Sequence, residues 1–405
     1  MIGLDLGARH IEYCEVRDGK VVDRTTVKEF RQLKSKLGPG TEPARVAFEA
    51  CREGWHVHDK LAEWGHEPLM LDTTRIRQIG VGQHKRKNDA IDAEAIAVAV
   101  DAGRIPLAHV LSQPRRELRA LLSIREALVQ TRVNLVVTIR GLLRAKGIAL
   151  PQCQTCNFAR RLSEESLPDE FKRQVAPLVE VLNALETQML ETEQQLLSLA
   201  EQDPMIRLCA TVPGVSLIVG ATFLSVIDNA DRFKNADAVA SYLGLVPSES
   251  TTGGPSKRRL GSITKQGNSH ARATLVQAAW QIFRKSAPNN SLWIWSHQVA
   301  EKRTKFVAIV ALARKLACVM WAMCRDGTVF DAEMSANQSA QGQRRAAEVQ
   351  RRRAEALERA GEKLGTSVRK AQRRHAADLD KALPKTKKPT VPSARRIKKT
   401  QEVAI

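Results

Sequence analysis

Apolar residues fall in two rhythms along the chain. Up to about residue 105 they come in short runs of strand type at 2–6, 11–16 and 21–27, with Asp18-Gly19 as a hairpin turn signal between the last two. Two more such runs, 46–49 and 68–71, predict strands, and 55–64 predicts a helix between them. From about 112 to 200 the spacing changes to three- and four-residue steps. Leu118, Leu121, Leu128, Leu135, Ile139 and Leu142 share one helical stripe, which Arg125 and Arg132 interrupt. After a break near Pro151 and Pro168, a second stripe runs through Leu178, Val181, Leu182, Leu185, Met189, Leu196 and Leu197.

These rhythms predict an organisation. A three-stranded meander followed by strands alternating with helices is the order of an α/β RNase H-like domain, in which the first strand is central and an acid on it lies close to the end of the fourth. The two long stripes predict an antiparallel helix pair or a dimerising coiled coil. Residues 205–330 read as a second, mostly helical unit. It opens on Leu208-Cys209-Ala210-Thr211-Val212-Pro213-Gly214-Val215, which is like the first half of a helix-hairpin-helix, a device that offers backbone N–H groups to a phosphate. Beyond Phe330 no aromatic residue occurs, so exposed helix and then a disordered tail from about residue 383 are expected. The expected domains are 1–110, 111–204, 205–330 and 331–405.

Composition adds a partner. The net charge of +20 favours a polyanion, although residues 341–405 hold 19 Lys/Arg against 7 Asp/Glu and so 12 of those charges. No N-terminal targeting pattern and no uninterrupted apolar run of about 18 residues is present, so a cytoplasmic protein without a membrane partner is expected. The seven cysteines are scattered, as reduced thiols would be, and Cys153-x-x-Cys156 lacks the second ligand pair that a zinc site needs.

Four carboxylates carry the candidate chemistry: Asp5 inside Ile-Gly-Leu-Asp-Leu, Glu49 closing Arg-Val-Ala-Phe-Glu, and Asp89 and Asp92 spaced i, i+3 at a helix start. Each alone suits a turn, a solvated strand end or a helix N-terminus. Together, acids from two strands and one helical face repel one another unless cations lie between them, which is how a site for divalent metal at a phosphodiester is built. Asp72 is the nearest competitor, and an N-cap role suffices for it. Lys85, Arg86 and Lys87 precede Asp89 closely enough to hold a substrate phosphate.

With these residues in place, the chain resembles the insertion-sequence 110 transposases. Asp5, Glu49 and 87–93 (Lys-Asn-Asp-Ala-Ile-Asp-Ala) look like the DEDD set of their RuvC-like N-terminal domain. The second half agrees through Val212-Pro213-Gly214-Val215, through 240–247 (Ala-Ser-Tyr-Leu-Gly-Leu-Val-Pro), through 263–268 (Ile-Thr-Lys-Gln-Gly-Asn) and through 311–327. The likeness spans roughly 1–330 and leaves out the tail. It implies a recombinase that excises and inserts a mobile element, guided in studied relatives by a structured noncoding RNA. There the four acids bind Mg²⁺, expected here as two ions with Mn²⁺ as the alternative, and a serine of the second domain forms a covalent ester with DNA. Counting eight residues on from Gly244 places Thr252 where that serine stands. Ser250 is the alternative nucleophile, and Thr251 and Ser256 share the loop.

Lys257, Arg258, Arg259, Lys265 and Arg272 surround this loop and are expected to face nucleic acid, whether the element ends, the target DNA or the guide RNA. Association into a homodimer or tetramer is expected, since strand exchange needs several nucleophiles at one junction. Trp280, Trp293, Trp295 and Trp321 read mainly as core, with base stacking as the alternative. Two rival functions use the same residues: a RuvC-like structure-specific nuclease, with water as nucleophile, and a catalytically impaired, domesticated nucleic-acid-binding protein.

Overall fold

The computed structural model describes residues 1–7, 9–73, 89–101, 106–250, 259–285 and 290–331, and for residues 89–92, 99, 101, 250 and 259 the backbone course alone. The chain divides into two compact units at residue 112.

The first unit is built on five strands: β1 (Ile2–Leu6), β2 (Ile11–Arg17), β3 (Lys20–Val27), β4 (Arg45–Glu49) and β5 (Glu67–Leu71). Their order is β3-β2-β1-β4-β5, with the meander antiparallel and β4 and β5 parallel to β1, so the first strand is central as expected. Alternation along each strand divides the apolar residues between two faces. Ile2, Leu4, Val46 and Phe48 join Val57 and Leu61 of helix α2 (Gly54–Glu63), together with Leu33 and Leu37 around the short α1 (Lys34–Leu37). The opposite face is covered by α3 (Asp89–Asp101): Ile96 and Val100 pack on Ala47, Leu69 and Leu71, while Ala93 and Ala97 pack on Cys14 and Val16. Gly3 lets that helix come close. A Cβ there would stand 2.2 Å from the Ala93 carbonyl oxygen and 3.1 Å from the Ala97 Cβ.

The second unit opens with a long hairpin, α4 (Gln113–Ala145) and α6 (Asp169–Gln202), joined through the short α5 (Phe158–Glu164). The two stripes read from the sequence therefore pair with each other, antiparallel. Arg115 meets Asp203, Arg125 meets Glu193 at 2.8 Å and Arg132 meets Glu186 at 3.2 Å, the numbers rising on one helix as they fall on the other. The arginines that interrupt the apolar stripe are thus one half of an ion-pair ladder. Beyond it, Val136, Ile139, Leu143, Phe158, Phe171, Val175 and Leu182 close the hairpin's far end.

At its other end Leu118, Leu122, Leu196 and Ala200 enter the core of a helical bundle. The bundle comprises α7 (Pro204–Cys209), α8 (Leu217–Ile227), α9 (Ala236–Tyr242), α10 (Ser269–Lys285), α11 (Ser291–Lys302) and α12 (Lys305–Asp326). All of α8 except Ile218 is buried. Among the described residues α12 alone is long and apolar enough to cross a membrane, although Arg314 and Lys315 interrupt its apolar run and half of its apolar window is buried. Its Ala308, Ile309, Leu312, Leu316, Ala317 and Met320 are core, and the Trp321 indole donates to the Ala230 carbonyl at 2.9 Å. Strands β6 (Pro247–Ser250) and β7 (Arg259–Ile263) pair antiparallel in a two-stranded sheet, and Ile263 packs against the bundle core.

Candidate active site

Parallel register brings the first two acids together. Leu4 of β1 pairs with Phe48 of β4, so the next residues, Asp5 and Glu49, stand side by side at the C-terminal ends of adjacent strands, both half-buried. They lie on the face that α3 covers, since Gly3 and Ala47 one step earlier in phase touch or pack on that helix. Helix α3 begins at Asp89, one turn before Ala93, and Asp92 stands one turn before Ile96; both Ala93 and Ile96 are sheet-packed. The side chains of Asp89 and Asp92 lie outside the described residues, as do Lys85, Arg86 and Lys87 in full.

A further carboxylate shares the row. Glu12 of β2 is opposite Asp5, and it accepts from the Thr26 hydroxyl at 2.8 Å with His10 Nε2 at 3.7 Å. Sequence reasoning passed over it because Ile-Glu-Tyr-Cys-Glu reads as a strand with a solvated polar phase; the antiparallel register was the missing datum. Asp72 follows Leu71, the partner of Glu49, and so falls out of phase with the row. Its expected N-cap role lies mostly outside the described residues. No group of three or more His, Cys, Asp or Glu close enough to hold a metal occurs among the described residues. The donor set nevertheless suits a divalent cation, because two adjacent, half-buried carboxylates at the ends of neighbouring inner strands gain from an oxygen-liganded ion what they lose to mutual repulsion.

In the second unit, the two motif blocks around Gly244 and Gly267 are the two feet of the β6–β7 hairpin. Thr264 N–H donates to the Val246 carbonyl at 2.9 Å and Lys265 N–H to the Gly244 carbonyl at 3.2 Å. Both glycines have positive φ and sit where the backbones cross: a Cβ on Gly244 would stand 1.9 Å from the Gln266 oxygen, and one on Gly267 2.1 Å from the Tyr242 oxygen. Arg272, half-buried on α10, fastens the crossing by donating through Nη1 to the carbonyls of Gln266 at 2.8 Å, Gly267 at 3.0 Å and Leu243 at 3.3 Å. Its guanidinium therefore has a structural task that the sequence, which marked only its charge, did not show. Lys265 is exposed and holds a left-handed conformation with φ 57°.

Ser250 ends β6 opposite Arg259, the first residue of β7, and only their backbone is described. Thr252, Thr251, Ser256, Lys257 and Arg258 fall in the connection between the strands, outside the described residues.

Comparison with known proteins gives two family matches. A DEDD-type transposase model of IS110 elements matches residues 2–147, and a model described as transposase IS116/IS110/IS902 family matches residues 206–293. A probable family 20 transposase of Pseudomonas aeruginosa is 29% identical over 81% of this chain and 98% of its own length. The transposase for insertion sequence element IS1328 of Yersinia enterocolitica is 27% identical over 82% of this chain and 98% of its own. The transposase for insertion sequence element IS1111A of Coxiella burnetii is 26% identical over 80% of this chain and 89% of its own.

Proposed function

Because the chain belongs to the IS110/IS116/IS902 family of transposases, enzymes of DNA transposition, we propose that it cleaves and rejoins DNA through metal-assisted attack by a hydroxyl of its own second unit. The observation that carries this reading is the side-by-side placement of Asp5 and Glu49 under the helix that opens on Asp89 and Asp92.

Asp5, Glu49, Asp89 and Asp92 would hold divalent metal, Mg²⁺ for its hard, oxygen-preferring coordination, with Mn²⁺ as a substitute. When bound, the metal supplies Lewis-acid stabilisation of the charge that develops on the phosphate oxygens. The protein's part in the exchange belongs to Thr252, with Ser250 as the alternative. Its hydroxyl oxygen bonds to the phosphorus, its proton departs, and the deoxyribose oxygen leaves with a proton in its place. Attack on that ester by a deoxyribose hydroxyl of the new strand re-forms a phosphodiester and restores the threonine. No external energy source is needed, because one phosphate ester is exchanged for another.

Arg259 and Lys265, with Lys257 and Arg258 in the connection, and Lys85, Arg86 and Lys87 ahead of Asp89, supply positive charge for the phosphates; a net charge of +20 supports this electrostatic part. A structured noncoding RNA as guide, and a homodimer or tetramer as the working species, belong to the same proposal.

The test uses a DNA substrate nicked beside the element end, so that a covalent adduct cannot religate. The parent should give a protein–DNA band on a denaturing gel, Thr252→Ala should lose it, and Asp5→Ala and Asp89→Ala should lose both adduct and cleavage. Cleavage by Thr252→Ala and Ser250→Ala without any adduct would replace this reading with that of a nuclease. Excision in cells unaffected by Asp5→Ala would overturn the catalytic reading altogether.

A further inference from the structure

Five aromatic rings gather on one side of the second unit, where the end of α10, the helix α11 and the start of α12 meet. Phe283 stacks on His297 with centroids 4.1 Å apart and planes 7° from parallel, and His297 in turn lies 3.8 Å from Trp293. Trp280 meets Phe283 edge to face at 6.3 Å and Phe306 at 6.1 Å. The row does not end in the core. Phe306 is 73% exposed, and Val307 beside it 50%. Burying that ring would be favourable, and Trp280, Phe283, Trp293 and His297, all only half-buried, show that core space ran out before the aromatics did.

Cations attend the same rings. Arg284 lies over Trp280 at 4.4 Å, and Lys305 lies 5.3 Å from the Trp280 centroid and 5.7 Å from that of Phe283. Lys285, Lys302 and Arg303 are exposed on the same helix ends, and Glu301 is the carboxylate among them. An apolar protein partner would not call for this many flanking cations. Duplex DNA would use the cations and leave Phe306 without a face to meet, because paired bases are stacked on each other.

We infer that this aromatic and cationic surface binds unpaired nucleotides: the exposed Phe306 stacks a base, held edge to face by Trp280 behind it, while Arg284, Lys302, Arg303 and Lys305 meet the adjoining phosphates. The inference rests on the nucleic-acid function proposed above and gives it a single-strand-reading surface built from other residues than the acids and the nucleophile candidates. Unpaired bases occur both in the loops of a structured RNA and in a displaced DNA strand, and the shared chemistry is a π-face beside a phosphate.

Fluorescence anisotropy of the full chain with oligouridine RNA, oligothymidine DNA and a duplex of equal length separates these contributions, since the remaining basic residues bind all three. Phe306→Ala is expected to weaken single-strand binding about ten-fold, within the range of one lost base–aromatic stack, and to leave duplex binding unchanged. Phe306→Trp should restore it, and Lys305→Ala should lower the salt slope for single strands by about one. Whether RNA or DNA suffers the larger loss identifies the source. Equal affinity of Phe306→Ala and parent for both single strands, or an equal loss on single strand and duplex, overturns the inference. So does concentration-dependent self-association that Phe306→Ala abolishes without any change in binding. Asp5→Ala run alongside keeps the two proposals apart: it should lose cleavage and keep the single-strand preference.

Discussion

Gly3 decides how near α3 can lie to the row of acids. With a Cβ at 2.2 Å from the Ala93 oxygen, Gly3→Ala must lift the helix or bend the strand, and overpacking of this kind costs about 1–3 kcal/mol. The expected outcome is a folded protein with a lower Tm and a larger loss of cleavage than of stability, measured by thermal melts beside a cleavage assay. Glu12 poses the opposite case. It stands opposite Asp5 on β2, outside the set of four acids, and accepts from the Thr26 hydroxyl, a bond that a glutamine oxygen can still accept, so Glu12→Gln should keep cleavage within about an order of magnitude, while Asp5→Asn abolishes it. Arg272→Lys should behave as a structural lesion, because an ammonium cannot reach the three carbonyls that one guanidinium nitrogen now serves. Its expected signature is a lower Tm with duplex affinity nearly intact. At this scale the sequence was legible where chemistry requires a residue type, as at Asp5 and Glu49. It was opaque where the reason for a residue is a neighbour far along the chain, as with the glycine under Ala93 or the arginine under Gly267.

Among the elements, the strands of the first unit were almost fully legible because period-two alternation and turn signals are local. The hairpin was legible as two helices and ambiguous as to partner, since the same stripe serves an intramolecular pair and a coiled-coil dimer. Arg125 and Arg132 resolve it: each faces a glutamate of α6 at an antiparallel position, a match invisible until both helices are laid side by side. These pairs are half-buried, so Arg132→Ala should cost roughly 1–3 kcal/mol by leaving Glu186 uncompensated, more than an exposed pair would. Replacing Arg132 and Glu186 together by leucine should recover most of that loss, because it fills the seam with apolar side chains and strands no charge. Urea melts of the single and double variants measure both.

Across the whole chain, each unit has a core of its own: the clusters on either side of the first sheet draw only on residues up to 112, and those of the hairpin and bundle only on later ones. Residues 1–112 expressed alone are therefore expected to unfold in one cooperative transition, observable by circular dichroism. The continuity of hairpin and bundle was not legible in the sequence, since Leu118 and Ala200 look like any other stripe residues until the bundle is seen to receive them. Removing 341–405 takes away 12 of the 20 net charges and none of the described core, so the expected result is weaker, less salt-dependent nucleic-acid binding with an unchanged melting temperature. The pairing of β1 with β4 also makes the protein unusually intolerant of one kind of genetic accident. Asp5 and Glu49 meet because two parallel strands keep the same count of residues to their ends, so a single in-frame codon deletion within either strand would turn one acid toward the opposite face of the sheet. Where such a deletion falls ahead of the acid, as at Leu4 or Phe48, it spares all four carboxylates and should still silence the enzyme as completely as losing Asp5 itself.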